Sequence, residues 1–349
     1  MSKIIFGFIS IVLAGLTYSQ DVRTTVNGYG HFDLGVQLDD NAVNSEMSIG
    51  EHDLFVNSVF KEDISFLGEF TVEVNKHSGF KASIQRARLK FQYYQNHSLI
   101  IGKMHTPVNY WNDVYHHGRV FFPTVNRPIA LSHFTPIHTL GFRLQGQNLG
   151  DYNFGYDVVV GSGLAQNDID ISLNTGLSLT AAFHFKPIEG MRIGGAYYYN
   201  SVSDASQLSS HVLYDEGMNP LYTGSLQFHL ANSSIAYFTE KIEVLNEFSY
   251  NATSTDSLGL AHNFSNYMYA GLRIKDRFVP YVAVDFLVVS DNDLHLGSML
   301  MTNLIIGYKH EFSPNFNIKS QVEYRKSISM EDDHSISNFG LRIQCSYGF

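Results

Sequence analysis

Three basic residues recur at alternate positions, Arg86, Arg88 and Lys90, and two carboxylates, Glu69 and Glu73, share one parity on the preceding segment. In an extended chain, residues two apart point to the same side, so each set forms a row on one face. A row of guanidinium and ammonium groups beside water attracts small anions, as rings of Arg and Lys do. Glutamates on a neighbouring strand would instead neutralise the row by cross-strand pairing and leave only a wet surface. Three bases against two acids lean the balance toward anions. By the same alternation Lys103 and Arg143 join the row, and these seven residues are the expected electrostatic filter.

The second chemically dense stretch is Thr106 to His138, more than thirty residues that carry the only Trp of the chain, Trp111, with Tyr110, Tyr115, Phe121, Phe122 and Phe134. Connections are usually about 4–6 residues long, so one of this length is functional or disordered, and its aromatic content argues for a packed structure. It is expected to fold inward and narrow whatever encloses it, with Tyr110, Trp111, Asp113, His116, His117 and Arg119 at the constriction. His105, His116, His117, His133 and His138 raise the question of a metal, but their spacing is not that of a zinc site and no Cys supports one. Titration of these histidines would make the constriction pH-sensitive. Asp113 and His116 could be imagined as a hydrolytic pair, yet nothing places a nucleophile or an oxyanion hole beside them. No enzyme, metal or cofactor is expected.

Such rows need strands to hold them, and strands of a particular kind. Phe66, Phe70, Val72 and Val74, then Ala87, Leu89, Phe91 and Tyr93, occupy the faces opposite the charges. A charge facing lipid at mid-bilayer costs about 2–4 kcal/mol, which assigns the apolar rows to lipid and the charged rows to an aqueous interior. The segment Phe339 to Phe349 repeats the pattern without a break, and its ending on Tyr347 and Phe349 resembles the C-terminal insertion signal read by the barrel-assembly machinery of bacterial outer membranes. Mean hydropathy is only −0.09 because each strand averages a lipid face with a wet one. The composition, 14% aromatic with 28 Gly and only 8 Pro, suits aromatic girdles and tight turns. A formal net charge of −10 disfavours nucleic acid as a partner. The lone Cys345 excludes an internal disulfide and falls on the lipid row.

Tight turns are expected near 62–64, 96–98, 148–151, 187–190, 275–277 and 313–315, with a seventh between 231 and 241. Longer loops are expected near 39–48, 76–81, 106–138, 162–170, 201–220, 253–263, 290–297 and 327–335. These imply sixteen antiparallel strands, with fourteen or eighteen as the alternatives. The first strand, 24–37, would close against the last and remove both edges. Eight strands fill their interior with side chains, whereas sixteen leave a water-filled channel.

Lys3 followed by an apolar run from Ile4 to Leu16 reads as a secretory signal peptide spanning 1–19, too short to cross a bilayer as a helix. Residues 20–349 then form one barrel domain. The stretch Ile101-Gly-Lys-Met-His-Thr-Pro-Val-Asn-Tyr-Trp-Asn-Asp resembles a segment of Bacteroidota porins, including the phosphate-selective porin O/P-like group. That resemblance implies passive diffusion of small hydrophilic solutes or anions across the outer membrane of a Gram-negative bacterium, and trimerisation by analogy with general porins. A non-conducting barrel subunit of an outer-membrane assembly, and more remotely a barrel hydrolase, are the alternatives.

Overall fold

The computed structural model describes residues 22–39, 42–75, 79–115, 122, 124–164, 171, 176–204, 224–293, 298–330 and 334–349. The expected signal peptide and four of the loop residues named above, His116, His117, Arg119 and Phe121, lie outside them. Among the described residues, sixteen strands form a closed antiparallel barrel, each bonded to its neighbours in sequence and the last to the first. They are β1 Arg23–Asp39, β2 Ala42–Lys61, β3 Ile64–Asn75, β4 Gly79–Tyr94, β5 His97–His105, β6 His138–Leu149, β7 Phe154–Ser162 and β8 Leu177–Phe185. The second half comprises β9 Met191–Val202, β10 Leu226–Phe238, β11 Ile242–Thr255, β12 Gly259–Leu272, β13 Phe278–Val289, β14 Met299–Ser313, β15 Phe316–Ser329 and β16 Ser335–Gly348. Each has at least the 9 residues that a tilted strand needs to cross a bilayer.

Alternation sets the two faces. On β16, Phe339 and Leu341 are exposed outward, while Gln344 and Ser346, of the opposite parity, are fully buried toward the interior. Closure runs to the end of the chain: the Phe349 backbone N–H donates to the Gly28 carbonyl (2.8 Å) and its own carbonyl accepts from Gly28 (3.0 Å). Tyr347 completes the outside of this seam through His52 Nδ1 (2.8 Å) and a stacked contact with Phe32. No edge is left for another chain to pair with.

Two expected loops are shorter than the sequence suggested. Residues 39–48 and 253–263 read as polar loops, yet β2 starts at Ala42, and β11 and β12 are separated only by residues 256–258. Backbone pairing does not depend on an apolar side chain, so a hairpin extends past the lipid wherever both faces can be wet.

The strands β10–β14 depart from simple alternation, with apolar residues on the inner face as well. Leu245, Tyr267, Tyr269, Tyr281, Ala283 and Ile305 are buried against Trp111, Phe122 and Leu131 of the segment joining β5 to β6. A second cluster joins Phe228, Leu230, Leu287 and Val289 to Val108, Ala130 and Phe134 of the same segment. This half of the wall is apolar because a loop covers it.

Candidate functional site

The sequence around Gly102 explains how that loop leaves the wall. Gly102 has φ +128, and a Cβ there would come within 2.2 Å of the Ala87 carbonyl oxygen on β4. Only glycine allows β5 to approach so closely. Replacing Gly102 with Ala should therefore destabilise the barrel by about 1–3 kcal/mol, measured as a lower midpoint of urea unfolding. Beyond the strand, Asn112 Nδ2 donates to the carbonyls of Thr106 (2.9 Å) and Ile137 (3.2 Å), tying the outgoing and returning limbs together. Thr106 and Pro107 of the recognised stretch thus turn the chain inward rather than contact solute.

Wall carboxylates and amides then catch the loop by its backbone. The Trp111 N–H donates to Glu247 Oε1 on β11 (3.1 Å), and Val125 N–H to Gln321 Oε1 on β15 (2.9 Å). Ile129 N–H, opening the short helix α1 Ile129–His133, donates to Asp285 Oδ2 on β13 (2.6 Å). Arg127 reaches Glu51 on β2 (3.1 Å). Trp111, within a π-helical turn Trp111–Tyr115, is completely buried beside Phe122, which sits 4.9 Å from the Tyr269 ring.

Facing the loop is the basic wall. A cavity of about 970 Å³ on the side of the short turns is lined by Arg86, Arg88, Lys90, Arg143, Lys186 and Arg192, with Tyr110 and Asp113 supplied by the loop. Arg86 is paired with Glu69, directly opposite it on β3, and Arg143 Nε donates to Asp157 Oδ1 on β7 (2.7 Å). Asp113 bridges Arg192 (2.9 Å) and Arg143 (3.7 Å). Arg88 and Lys90 face Leu67 and Ser65 across the sheet, and among the described residues neither forms an ion pair.

Of the residues expected to form the filter, Glu69, Arg86, Arg88, Lys90 and Arg143 lie together on the inner wall, and two do not. Glu73 does not face the row: it lies four residues past Glu69 toward the long-loop end, opposite Lys81 at 3.6 Å, with its pairing shifted by one residue at a bulge at Gln85. Lys103 is on the outer face, because it pairs with Ala87 and Leu140 two positions along from Ile101, itself opposite the outward Leu89 and Phe142. Parity was ambiguous on β5, where Ile100 and Met104 are apolar yet buried inward. At two residues from the strand end, the ammonium of Lys103 can reach the interface, where an outward charge costs only about 0–1 kcal/mol.

Nothing in the sequence joins Arg192 to Asp113, 79 positions away. Burial pushes the Asp113 carboxyl up, but Arg143 and Arg192 outweigh it and hold it below the usual carboxylate range. A depressed carboxyl stabilises above its unfolded value and loses that contribution as pH falls through its folded one. Wild type and Asp113→Asn should therefore differ in conductance from pH 7 to about 4, below which the difference fades.

No family model matches the chain, and no curated protein matches it. Its fold class is that of solved porins and related outer-membrane barrels of sixteen strands. Solved structures similar to it include the anion-selective porin from Comamonas acidovorans, with a TM-score of 0.66 at 8% identity, over 94% of this chain and 100% of that one. OmpT of Vibrio cholerae, an outer membrane protein in its trimer form, aligns with a TM-score of 0.62 at 9% identity over 93% and 99%. Salmonella typhi OmpF in complex with daunomycin gives 0.63 at 11% identity over 95% and 99%. Likeness at these identities is likeness of fold.

Proposed function

We propose that the protein is an outer-membrane channel for the passive diffusion of small hydrophilic solutes, selective for anions and not an enzyme. The observation that carries this reading is the pair Arg88 and Lys90, two cations that form no ion pair among the described residues, on the wall of a polar cavity inside a closed barrel. Water fills barrels of this strand number, so charge on the inner wall acts on whatever passes. The loop from β5 to β6 is the constriction, and Asp113, fastened to two arginines, serves to seat it rather than to activate a histidine. The resemblance of Ile101 to Asp113 supports kinship with Bacteroidota porins of the phosphate-selective O/P-like type. Residues 1–19 would be removed on export, and Tyr347 and Phe349 would be read by the barrel-assembly machinery. A homotrimer is the proposed assembly, since OmpT of Vibrio cholerae is described in a trimer form.

Proteoliposome swelling tests the channel directly. Vesicles containing the folded barrel should swell in small sugars and amino acids at rates that fall with solute size, and protein-free vesicles should not. Equal rates in both would leave the sealed-scaffold reading instead.

A further inference from the structure

A second interior cavity, of about 690 Å³, adjoins the first and shares Arg88 and Lys90 with it. Its other walls come from Pro314, Asn315, Gly348 and Phe349, and from β1 to β3 near the short-turn rim, with Tyr29, Phe55 and Leu67. These apolar residues are out of place on a wet wall. Unlike the inward residues of β10–β14, Phe55 and Leu67 belong to neither cluster under the loop, and both remain partly exposed to the lumen. Tyr29 is 92% buried, and its hydroxyl makes no hydrogen bond among the described residues. The Tyr29 and Phe55 rings lie 5.6 Å apart and tilted by 30°, giving the pocket an aromatic side.

Register places the apolar and cationic parts side by side. Phe55 sits opposite Glu69, Leu67 opposite Arg88, and Ser65 opposite Lys90. An apolar surface starts at Leu67, one strand spacing of about 4.8 Å from Arg88, and runs on through Phe55 and Tyr29 on the next two strands. It lies beside two cations that form no ion pair among the described residues, and it fits neither a bare inorganic anion nor a neutral sugar. A bare anion leaves Phe55 and Leu67 against water, and a neutral solute leaves Arg88 and Lys90 uncompensated. A ring bearing a carboxylate satisfies both, and a phenolic hydroxyl on it would find Asn27, Asn57 or Tyr29. Pockets of 300–1,000 Å³ suit molecules of this size.

We propose that this cavity is a binding site for small aromatic carboxylates, with the carboxylate on Arg88 and Lys90 and the ring against Phe55, Tyr29 and Leu67. As a station for permeating solute it rests on the channel reading; as a binding site it can be tested apart from it. Calorimetric titration of the folded full-length barrel in detergent micelles would compare 4-hydroxybenzoate with acetate, which lacks the ring, and phenol, which lacks the charge. The first should bind at least about tenfold more tightly than either, and Arg88→Gln and Phe55→Ala should each weaken it about tenfold. Retained heat-modifiable migration on gels checks that the variants fold, and Leu67→Ser replaces Phe55→Ala if that variant does not.

Binding no tighter than acetate overturns the ring site, and binding no tighter than phenol, or unaltered in Arg88→Gln, overturns the carboxylate site. In planar bilayers 4-hydroxybenzoate should interrupt chloride current at concentrations where acetate does not. Chloride current without that interruption sinks the proposal and spares the channel. Binding without any current sinks the channel and spares the site.

Discussion

Replacing Arg88 and Lys90 together with glutamine should shift the zero-current potential of the reconstituted barrel toward cations by roughly a fivefold change in relative permeability. Two unit charges about 8 Å apart in water interact by about 0.5 kcal/mol, so two wall cations contribute about 1 kcal/mol to the energy of a passing anion. A passing cation is repelled by as much. At ~0.1 M salt, screening over about 10 Å roughly halves both energies, so anion and cation differ by about 1 kcal/mol, roughly fivefold in the ion ratio at 1.4 kcal/mol per factor of ten. The effect should shrink above ~0.1 M salt, where screening acts within about 10 Å. Arg86 and Arg143 are the wrong residues to remove. They neutralise Glu69 and Asp157, both almost fully buried, and an orphaned buried carboxylate costs about 3–5 kcal/mol. A loss of selectivity in those variants would be confounded with loss of fold, whereas Arg88 and Lys90 leave no carboxylate behind.

The second large effect is expected at the loop. Trp111→Ala should detach the constriction from the wall of β11–β13 and raise single-channel conductance, while leaving the barrel folded. Trp111 has no exposed surface and packs on Phe122 and Tyr115, and emptying such a site costs about 3–5 kcal/mol. Strand pairing carries the barrel, so the cost falls on the loop alone. A conductance unchanged from wild type, with loop protease sensitivity also unchanged, would show that the polar bonds to Glu247, Gln321 and Asp285 hold the loop without the aromatic contacts.

How much of this was readable beforehand follows from which interactions repeat. The lipid and water faces impose a period of two on every strand, so Phe339 to Phe349, and the rows of Phe66 and Arg86, announced the barrel and its inner charges. Strand number followed from turns that glycine, proline and asparagine mark locally. Heights and cross-lumen partners have no such period. That Asp113 meets Arg192, or that Glu247 and Asp285 accept from loop amides, depends on where each strand sits in the barrel, and the same register puts Glu73 four residues past Glu69, beyond the basic row. Lys103 was misplaced for a related reason: both faces of β5 are apolar, one for lipid and one for the loop, and alternation then carries no sign. The same double coverage makes Phe278 to Val289 read as an almost continuous apolar run, whose inner half is covered by Trp111, Phe122 and Leu131 at Tyr281 and Ala283 and by Val108, Ala130 and Phe134 at Leu287 and Val289.

The most direct test of the basic lumen is the zero-current potential of the unmodified protein across a planar bilayer separating dilute from concentrated potassium chloride. A potential of the sign set by chloride permeation is the expected result. A stable, open channel with the sign set by potassium would contradict it.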